Sequence, residues 1–219
     1  MQPENKMVKC IIFDCDGTLV DSEYHCNLGL EMMLRPYKVK SSASALMAKY
    51  RGEKLANILH SIEEEHNIVL EEHFVAEYRA LVNTLFEKEL NPCDGVIEFL
   101  NQNTIRSCVA SSGPTKKINK ALEITDLKKY FGENIFSSYE INSWKPEPDI
   151  FFYAAKKMGK PPNRSLVVED RKKGITAALA AGMKTVLFDP TNLHQTVRDV
   201  SRIDSMRKLN TIIASYDTP

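Results

Sequence analysis

The chain has 219 residues, of which 43% are hydrophobic and 26% charged, and its 29 basic and 29 acidic side chains give a formal net charge of zero. A nucleic-acid-binding protein normally carries a basic excess, and an intrinsically disordered chain is poorer in apolar residues. Composition therefore argues against both classes, and the length predicts one or two folded domains.

The N-terminal sequence and the cysteine pattern indicate the cellular compartment in which the protein is expected. Residues 1–6 are polar, and the apolar stretch at residues 10–13 is too short for the core of a signal peptide. No window approaches the roughly 18 apolar residues of a membrane span. The odd number of cysteines and the lack of a CxxC pair argue for reduced thiols. We therefore expect a cytoplasmic protein that binds neither membranes nor nucleic acids, as a monomer or, alternatively, a weak dimer.

The N-terminal half changes character after its first apolar run. Residues 8–13 are β-branched and aromatic, which predicts a buried strand. The following seventy residues have helical spacing instead, with apolar stripes at Leu55, Ile58, Leu59 and Ile62 and at Phe74, Tyr78, Leu81 and Leu85. This stretch ends near Asn91-Pro92. We predict a helical domain over residues 21–90, inserted into a core formed by residues 1–20 and 91–219.

Strand and helix signals alternate in the rest of the chain. The pattern predicts strands at residues 107–110, 134–136, 165–168 and 185–188, and helices at residues 114–122, 149–158 and 172–181. The polar tail has one weak helical stretch, at residues 203–213. Short apolar strands separated by helices are typical of a parallel sheet with helices on both faces, so we predict an α/β fold.

Polar residues follow the predicted strands where each one ends. Functional groups in an open parallel sheet collect beyond the carboxyl ends of its strands, so these side chains are the candidate site. They are Asp14, Asp16 and Thr18 after the first strand, Ser111 and Ser112 after the next, then Lys145, and finally Glu169 and Asp170.

The acidic residues suggest a cation site. Asp14 and Asp16 are two positions apart and project to the same side of an extended chain, where they can hold a hard cation or attack an electrophile. A simple turn is the alternative, because Asp and Gly are turn residues. Glu169 and Asp170 face opposite ways on a strand, so we expect Asp170 to contact a cation directly, with Glu169 as a further ligand or its support.

The remaining polar residues have two interpretations each. Ser111 precedes a helix start, so its hydroxyl either helps to bind an anion or merely caps the helix. Lys145 precedes Pro146, which favours an extended backbone, and on its own it would be an ordinary solvated lysine. Neither a Walker A loop nor a GxGxxG motif is present, which argues against the common nucleotide-binding fingerprints.

Taken in order, residues 13–23, Ser111, residues 145–148 and Glu169-Asp170 resemble the motifs of the haloacid dehalogenase superfamily of phosphohydrolases and phosphomutases. The helical insertion resembles the cap of that family, and the resemblance implies a Rossmann-like core. Within the family the chain is similar to the β-phosphoglucomutase-like branch. Residues 50–55, 112–114 and 141–146 are similar to bacterial 6-phosphogluconate phosphatases, and the mutase cap signature is missing after Gly52.

The resemblance implies a phosphatase that acts on a small sugar-phosphate or sugar-acid phosphate monoester, with a phosphosugar mutase as the alternative. In the implied mechanism Asp14 forms an aspartyl-phosphate, Asp16 is the general acid and base, and Lys145 neutralises the phosphoryl group. Mg²⁺, or alternatively Mn²⁺, would be held by Asp14, the main-chain carbonyl of Asp16, Asp170 and Glu169. The implied phosphate ligands are Thr18, Ser111 and Ser112.

The cap is expected to select the substrate. Arg51 and Lys54 would bind remote polar groups, for which a sugar-acid carboxylate is well suited, although each is equally interpreted as a solvated surface cation. His25 is a further candidate, with a hydrogen-bonded structural role as its alternative. The chain departs from the family pattern at Arg171, which is followed by Lys172 and Lys173, because three cations at a helix start oppose the helix dipole.

Overall fold

The computed structural model describes residues 7–50, 53–192, 194, 197–198 and 200–217. These residues form two compact units. One unit comprises the described residues up to Val20 and from Pro92 onward, and the other comprises Asp21–Asn91. Among the described residues, no helix combines the length and the apolar character that crossing a membrane requires.

The first unit contains a six-stranded sheet in the order β3-β2-β1-β4-β5-β6, and every neighbouring pair is parallel. Helices are interspersed along the chain between the strands, so the prediction of an α/β parallel-sheet fold is confirmed. The strands are β1 (Cys10–Phe13), β2 (Ser107–Ser111), β3 (Ile135–Ser137), β4 (Ser165–Glu169), β5 (Lys184–Phe188) and β6 (Ser201–Ile203).

The helices of the two units, numbered along the chain, begin and end as follows. In the second unit they are α1 (Glu23–Leu34), α2 (Ala43–Tyr50), α3 (Leu55–His66) and α4 (Phe74–Glu89). In the first unit they are α5 (Val96–Gln102), α6 (Thr115–Ile124), α7 (Lys128–Phe131), α8 (Ser138–Ile141), α9 (Asp149–Lys157), α10 (Lys172–Ala180) and α11 (Leu209–Asp217).

Strand β1 is apolar throughout because both of its faces are covered. Cys10 and Ile12 belong to a core cluster with residues of α9 and α10. On the other face, the ring of Phe13 makes edge contacts with Phe99 of α5 and Phe131 of α7, at centroid distances of 6.0 and 6.1 Å. A strand buried on both faces has an apolar run instead of alternation, and this is why residues 10–13 were recognisable in the sequence.

The second unit is helical, as its spacing predicted. Helix α1 contacts α2 and α4. Three of the four predicted stripe residues of α3 are buried, and the fourth, Leu55, is half-buried. The stripe of α4 differs at two positions, because Val82 and Phe86 are buried whereas Leu81 and Leu85 are only half-buried. The observed stripe follows steps of four residues from Phe74, so an apolar residue at 81 or 85 lies at its margin.

The tail differs from the prediction of one helical stretch over residues 203–213. Strand β6 occupies Ser201–Ile203 and pairs with β5, in a register that places Ile203 beside Phe188. A 3₁₀ turn at Met206–Lys208 precedes α11. A three-residue edge strand is too short to show periodicity, so only the pairing with β5 identifies it.

Candidate active site

The candidate site lies at the carboxyl ends of the central strands. Strand β1 has β2 on one side and β4 on the other. The chain continues from β1 to β2 and β3 in one direction along the sheet, and from β4 to β5 and β6 in the opposite direction. The crevice beyond such a reversal of strand order is the usual ligand site of an open parallel sheet. The last residues of β1, β2 and β4 and the loops that follow them carry most of the predicted site residues, namely Asp14, Asp16, Thr18, Ser111, Ser112, Glu169 and Asp170.

Lys145 joins two carboxylates at this edge. Its Nζ donates to Asp14 Oδ1 at 2.6 Å, to Glu169 Oε1 at 2.7 Å and to the Ala110 carbonyl at 3.0 Å. The side chains of all three charged residues are exposed by 10% or less. Nζ also lies 5.0 Å from the centroid of the Phe151 ring. Because the ammonium contacts one oxygen of each carboxylate, it fixes the orientation of both.

Burial and neighbouring charges set the protonation of this group. Burial raises the pKa of Asp14 to about 6; the Lys145 ammonium opposes the shift, and the Glu169 and Asp16 carboxylates add to it. For Lys145, burial acts to lower the pKa, but the Asp14 and Glu169 carboxylates outweigh it and raise the pKa above its usual range. Burial also raises the pKa of the Cys15 thiol, so this cysteine stays protonated and is a poor nucleophile.

Three carboxylates form a buried cluster around Lys145. Asp14, Glu169 and Asp170 each offer an oxygen, and these oxygens lie within 4.8 Å of one another. Lys145 and the Arg171 side chain, whose Nε lies 3.4 Å from Asp170 Oδ2, bring two positive charges to three negative ones, and buried acids are otherwise costly. An all-oxygen donor set with excess negative charge is the environment that Mg²⁺ prefers, so the cluster fits a hard divalent cation.

Two glycines allow the surrounding backbone to approach these carboxylates. A Cβ at Gly174, in the first turn of α10, would lie 1.9 Å from Glu169 Oε1. A Cβ at Gly17 would lie 2.4 Å from Asp170 Oδ2, and Gly17 also has a φ of +83°. Neither position accepts a side chain unless the acid moves, so the two glycines help to define the cluster.

The hydroxyl residues occupy different positions around the cluster. Thr18 is fully buried and donates to Asp170 Oδ1 at 3.3 Å. Ser111 is buried at the end of β2, and its Oγ accepts a hydrogen bond from the Gly113 backbone N–H at 3.1 Å. Ser112 is half-buried in the same turn. The structure therefore places Thr18 beside the acidic cluster and Ser111 at the start of the loop that leads into α6.

Asp16 has a partner that the sequence analysis missed. Lys117, in the first turn of α6, places its Nζ 2.8 Å from both Oδ1 and Oδ2 of Asp16. The Asp16 carboxylate is not part of the three-carboxylate cluster, and its predicted metal contact through the main-chain carbonyl stays a prediction. A signal existed, since Lys116 and Lys117 put two cations in a helix first turn, where the dipole disfavours them unless an anion is near.

Arg171 lies beside the same cluster from the α10 side. Its Nε is 3.4 Å from Asp170 Oδ2, and its backbone N–H donates to Glu169 Oε2 at 3.0 Å. The two acids therefore offset part of the positive charge that Arg171, Lys172 and Lys173 bring to the start of this helix.

The predicted substrate-binding residues of the cap belong to the second unit. His25 on α1 has Nδ1 3.3 Å from the Asp21 carbonyl and Nε2 3.6 Å from the Glu89 carboxylate. Lys54 is exposed at the residue before α3. Arg51 lies outside the described residues. The substrate-binding roles of all three stay predictions.

Comparison with known proteins relates the fold and the motifs to one family. Over 211 residues the chain is 32% identical to the 6-phosphogluconate phosphatase of Escherichia coli (strain K12). The matched segment covers 92% of this chain and 94% of that protein. It is 30% identical over 198 residues to a probable pseudouridine-5'-phosphatase of Drosophila melanogaster, covering 87% of this chain and 85% of that protein.

A solved structure shows the same fold. The conserved haloacid dehalogenase-like protein of unknown function from Agrobacterium tumefaciens strain C58 has a TM-score of 0.83 and 30% identity, covering 96% of this chain and 100% of that one. Residues 11–188 match the family described as haloacid dehalogenase-like hydrolase. The chain therefore belongs to the haloacid dehalogenase-like hydrolase family, and it is a phosphatase of that family.

Proposed function

We propose that the protein hydrolyses a small sugar-phosphate or sugar-acid phosphate monoester, similar to 6-phosphogluconate, through an aspartyl-phosphate on Asp14. The observation that carries the proposal is the buried contact of Lys145 with both Asp14 and Glu169, next to Asp170. Lys145 keeps the Asp14 carboxylate in place as the proposed nucleophile, and oxygens of Glu169 and Asp170 lie within 4.8 Å of it.

The acidic cluster would hold Mg²⁺, or alternatively Mn²⁺. Asp14, Asp170 and Glu169 offer carboxylate oxygens, and the main-chain carbonyl of Asp16 is the further ligand that we propose. When bound, the cation supplies positive charge that offsets the repulsion between the Asp14 carboxylate and a phosphate dianion.

In the first step Asp14 attacks phosphorus as the bond from phosphorus to the leaving oxygen breaks, and Asp16 gives a proton to that oxygen. Lys145 keeps Asp14 oriented and offsets the charge of the phosphoryl oxygens. The Gly113 N–H donates to the Ser111 hydroxyl oxygen, so Ser111 can donate its own proton to a different acceptor. It is therefore able to reach the phosphoryl group, whereas Thr18 must first turn from Asp170.

In the second step Asp16 takes a proton from a water molecule, whose oxygen attacks the phosphorus of the aspartyl-phosphate. The bond from phosphorus to Asp14 breaks, which releases inorganic phosphate and restores the Asp14 carboxylate. One residue thus donates a proton in the first step and accepts one in the second, so the enzyme ends the cycle in its starting state.

Substrate choice is proposed to lie in the helical unit. Arg51 and Lys54 would bind the carboxylate or hydroxyl groups of the sugar acid, and His25 would add a polar contact. The proposal is supported by the 32% identity with the Escherichia coli phosphatase over nearly its whole length. Arg51→Ala and Lys54→Ala should then raise KM for 6-phosphogluconate more than KM for glucose 6-phosphate, whereas Lys88→Ala on α4 serves as the matched control.

A phosphate-release screen over sugar, sugar-acid and nucleotide monophosphates, with and without chelator, tests the reaction. Activity should require a divalent cation, and Asp14→Asn should lose at least about a thousandfold in kcat. Asp126→Asn, an isosteric change in an exposed turn, should retain full activity. Full activity of Asp14→Asn would refute the covalent mechanism, and conversion of a sugar phosphate to an isomer without phosphate release would favour the mutase alternative.

A further inference from the structure

Asp16 is held by a lysine from a different part of the chain. Lys117 lies 101 positions away in sequence, and its Nζ is 2.8 Å from each carboxylate oxygen of Asp16. The side chains of Lys117 and Asp16 are 28% and 18% exposed, so solvent reaches part of the pair.

The local structure places this lysine at the site. Ser111 ends β2, and α6 begins four residues later at Thr115. A Cβ built at Gly113 in the intervening loop would lie 3.5 Å from Ser111 Oγ and 3.6 Å from Asp16 Oδ2. The loop therefore passes beside Asp16, and the first turn of α6 brings Lys117 to the same carboxylate.

The contact differs from that of Lys145. Lys145 contacts one oxygen on each of two carboxylates, whereas Lys117 contacts both oxygens of the Asp16 carboxylate. A contact with both oxygens favours one plane and one rotamer of the Asp16 carboxyl group, and it does so from the side of α6. An acid–base group must be placed within hydrogen-bond reach of the reacting oxygen, so its rotamer is a determinant of the rate.

We propose that Lys117 is a positioning residue for Asp16, and that α6 thereby sets the geometry of proton transfer to the leaving group. The inference rests on the proposed role of Asp16 as the general acid. It predicts that Lys117 matters most for substrates whose leaving oxygen needs a proton, since it acts through Asp16 and not on the phosphoryl group.

Two substrates with different leaving groups test this inference. The leaving group of 6-phosphogluconate is an alkoxide unless it is protonated. The leaving group of p-nitrophenyl phosphate is a stable phenolate, which needs little protonation. In Lys117→Met, the ratio of kcat/KM for 6-phosphogluconate to that for p-nitrophenyl phosphate should fall at least about tenfold relative to wild type. Lys117→Arg should restore most of the ratio, and Lys116→Met, an exposed neighbour on α6, should leave it unchanged.

A double mutant separates this role from independent ones. If Lys117 acts through Asp16, Asp16→Asn/Lys117→Met should show the same ratio as Asp16→Asn alone. Equal losses on both substrates, or additive losses in the double mutant, would overturn the inference. A crystal structure of Lys117→Met in which Asp16 keeps its position would overturn it as well, even if neither substrate is hydrolysed. Failure of the covalent mechanism is recognised separately, by activity that survives Asp14→Asn.

Discussion

Lys145 and Lys117, the two lysines at the sheet edge, both contact carboxylates of the site, but they differ in burial. Lys145 is 6% exposed and joins Asp14 to Glu169, whereas Lys117 is 28% exposed and contacts Asp16. A buried ion pair cannot exchange its partner for water, so removal of one member leaves an uncompensated charge. A partly exposed pair has water as an alternative partner, so it costs little to open.

The difference matches the demands of the proposed chemistry. A nucleophile must keep one orientation throughout the reaction, and Asp14 is held by a lysine that solvent scarcely reaches. An acid–base group must exchange protons with substrate and water, and Asp16 is held by a lysine that can release it. Burial thus separates a fixed side of the site from an adjustable one.

Removal of Lys145 should have the largest effect on the folded protein. In Lys145→Met two buried carboxylates lose their shared ammonium, and we expect a loss of about 3–5 kcal/mol in the free energy of unfolding. Lys117→Met should lose less than about 1 kcal/mol. Urea unfolding of both variants without added divalent cation measures the contrast, and equal losses would remove the distinction between the two pairs.

The two serines at the end of β2, Ser111 and Ser112, also differ in burial, and we expect this difference to affect activity. Both serines are predicted phosphate ligands, but Ser111 is buried whereas Ser112 is half-buried, so we expect Ser111 to make the stronger hydrogen bond to the phosphoryl group. A hydrogen bond to a charged group contributes about 1.5–3 kcal/mol, so Ser111→Ala should lose roughly 10- to 100-fold in kcat/KM. Steady-state phosphate release measures it, and a larger loss in Ser112→Ala would transfer the role to the neighbouring residue.

Crowding of the fixed side should disturb the acidic cluster. The methyl group of Gly174→Ala would lie 1.9 Å from Glu169 Oε1, so Glu169 or α10 must move. We expect a loss of about 1–3 kcal/mol, reduced by up to about 1 kcal/mol because alanine favours the helix. Thermal unfolding at several Mg²⁺ concentrations should also show weaker stabilisation by the cation. Thr176→Ala, at an exposed position of α10, is the control, and a fully stable Gly174→Ala would contradict the close approach.

The smallest effect is expected for a surface pair in the helical unit. Glu31 accepts from Arg35 at 2.9 Å and from the Ala43 N–H at 2.8 Å, and these bonds, Arg35 first, lower the pKa of Glu31. A lowered pKa in the folded state stabilises the protein above the unfolded pKa of about 4.3, and this contribution is lost as pH falls through the folded pKa.

Melting temperatures at pH 7 and pH 3 measure this contribution. Glu31→Gln should melt slightly below wild type at pH 7, and the difference should shrink at pH 3. Glu72→Gln, which alters an exposed glutamate of the same unit, is the control. A difference that persists at pH 3 would show that the carboxylate charge is not its cause.

The fixed side of the site was the more predictable from sequence. Asp14, Glu169 and Asp170 follow apolar runs that are recognisable because both faces of β1 and β4 are covered. Parallel strands bring their carboxyl ends to one edge, so adjacency in the sheet follows from the fold class. Lys145 is separated from β3 by α8. Its place after a predicted strand made it a candidate, but its local sequence also fitted a solvated lysine, and only the family resemblance implied its role.

The adjustable side was less predictable, because its contacts come from a helix surface. A lysine in a helix looks like any solvated lysine, so Lys117 gave no signal beyond its unfavourable place in the first turn of α6. Strand β6 and the margin of the α4 stripe were missed for a related reason. Each depends on pairing or packing with a distant element, and a local window of sequence does not contain that element.

The site also has a consequence for the order of folding. Lys117, Lys145 and Asp170 contact residues of the β1 loop that lie 101, 131 and 152 positions earlier in the sequence. Loop closure over such separations is slow, and the contact of Asp170 with Thr18 needs β4 to lie beside β1. A nascent chain therefore has no carboxylate cluster before residue 170 has been synthesised. A cation that needs the complete cluster would bind the folded chain only, and it would stabilise that state by mass action.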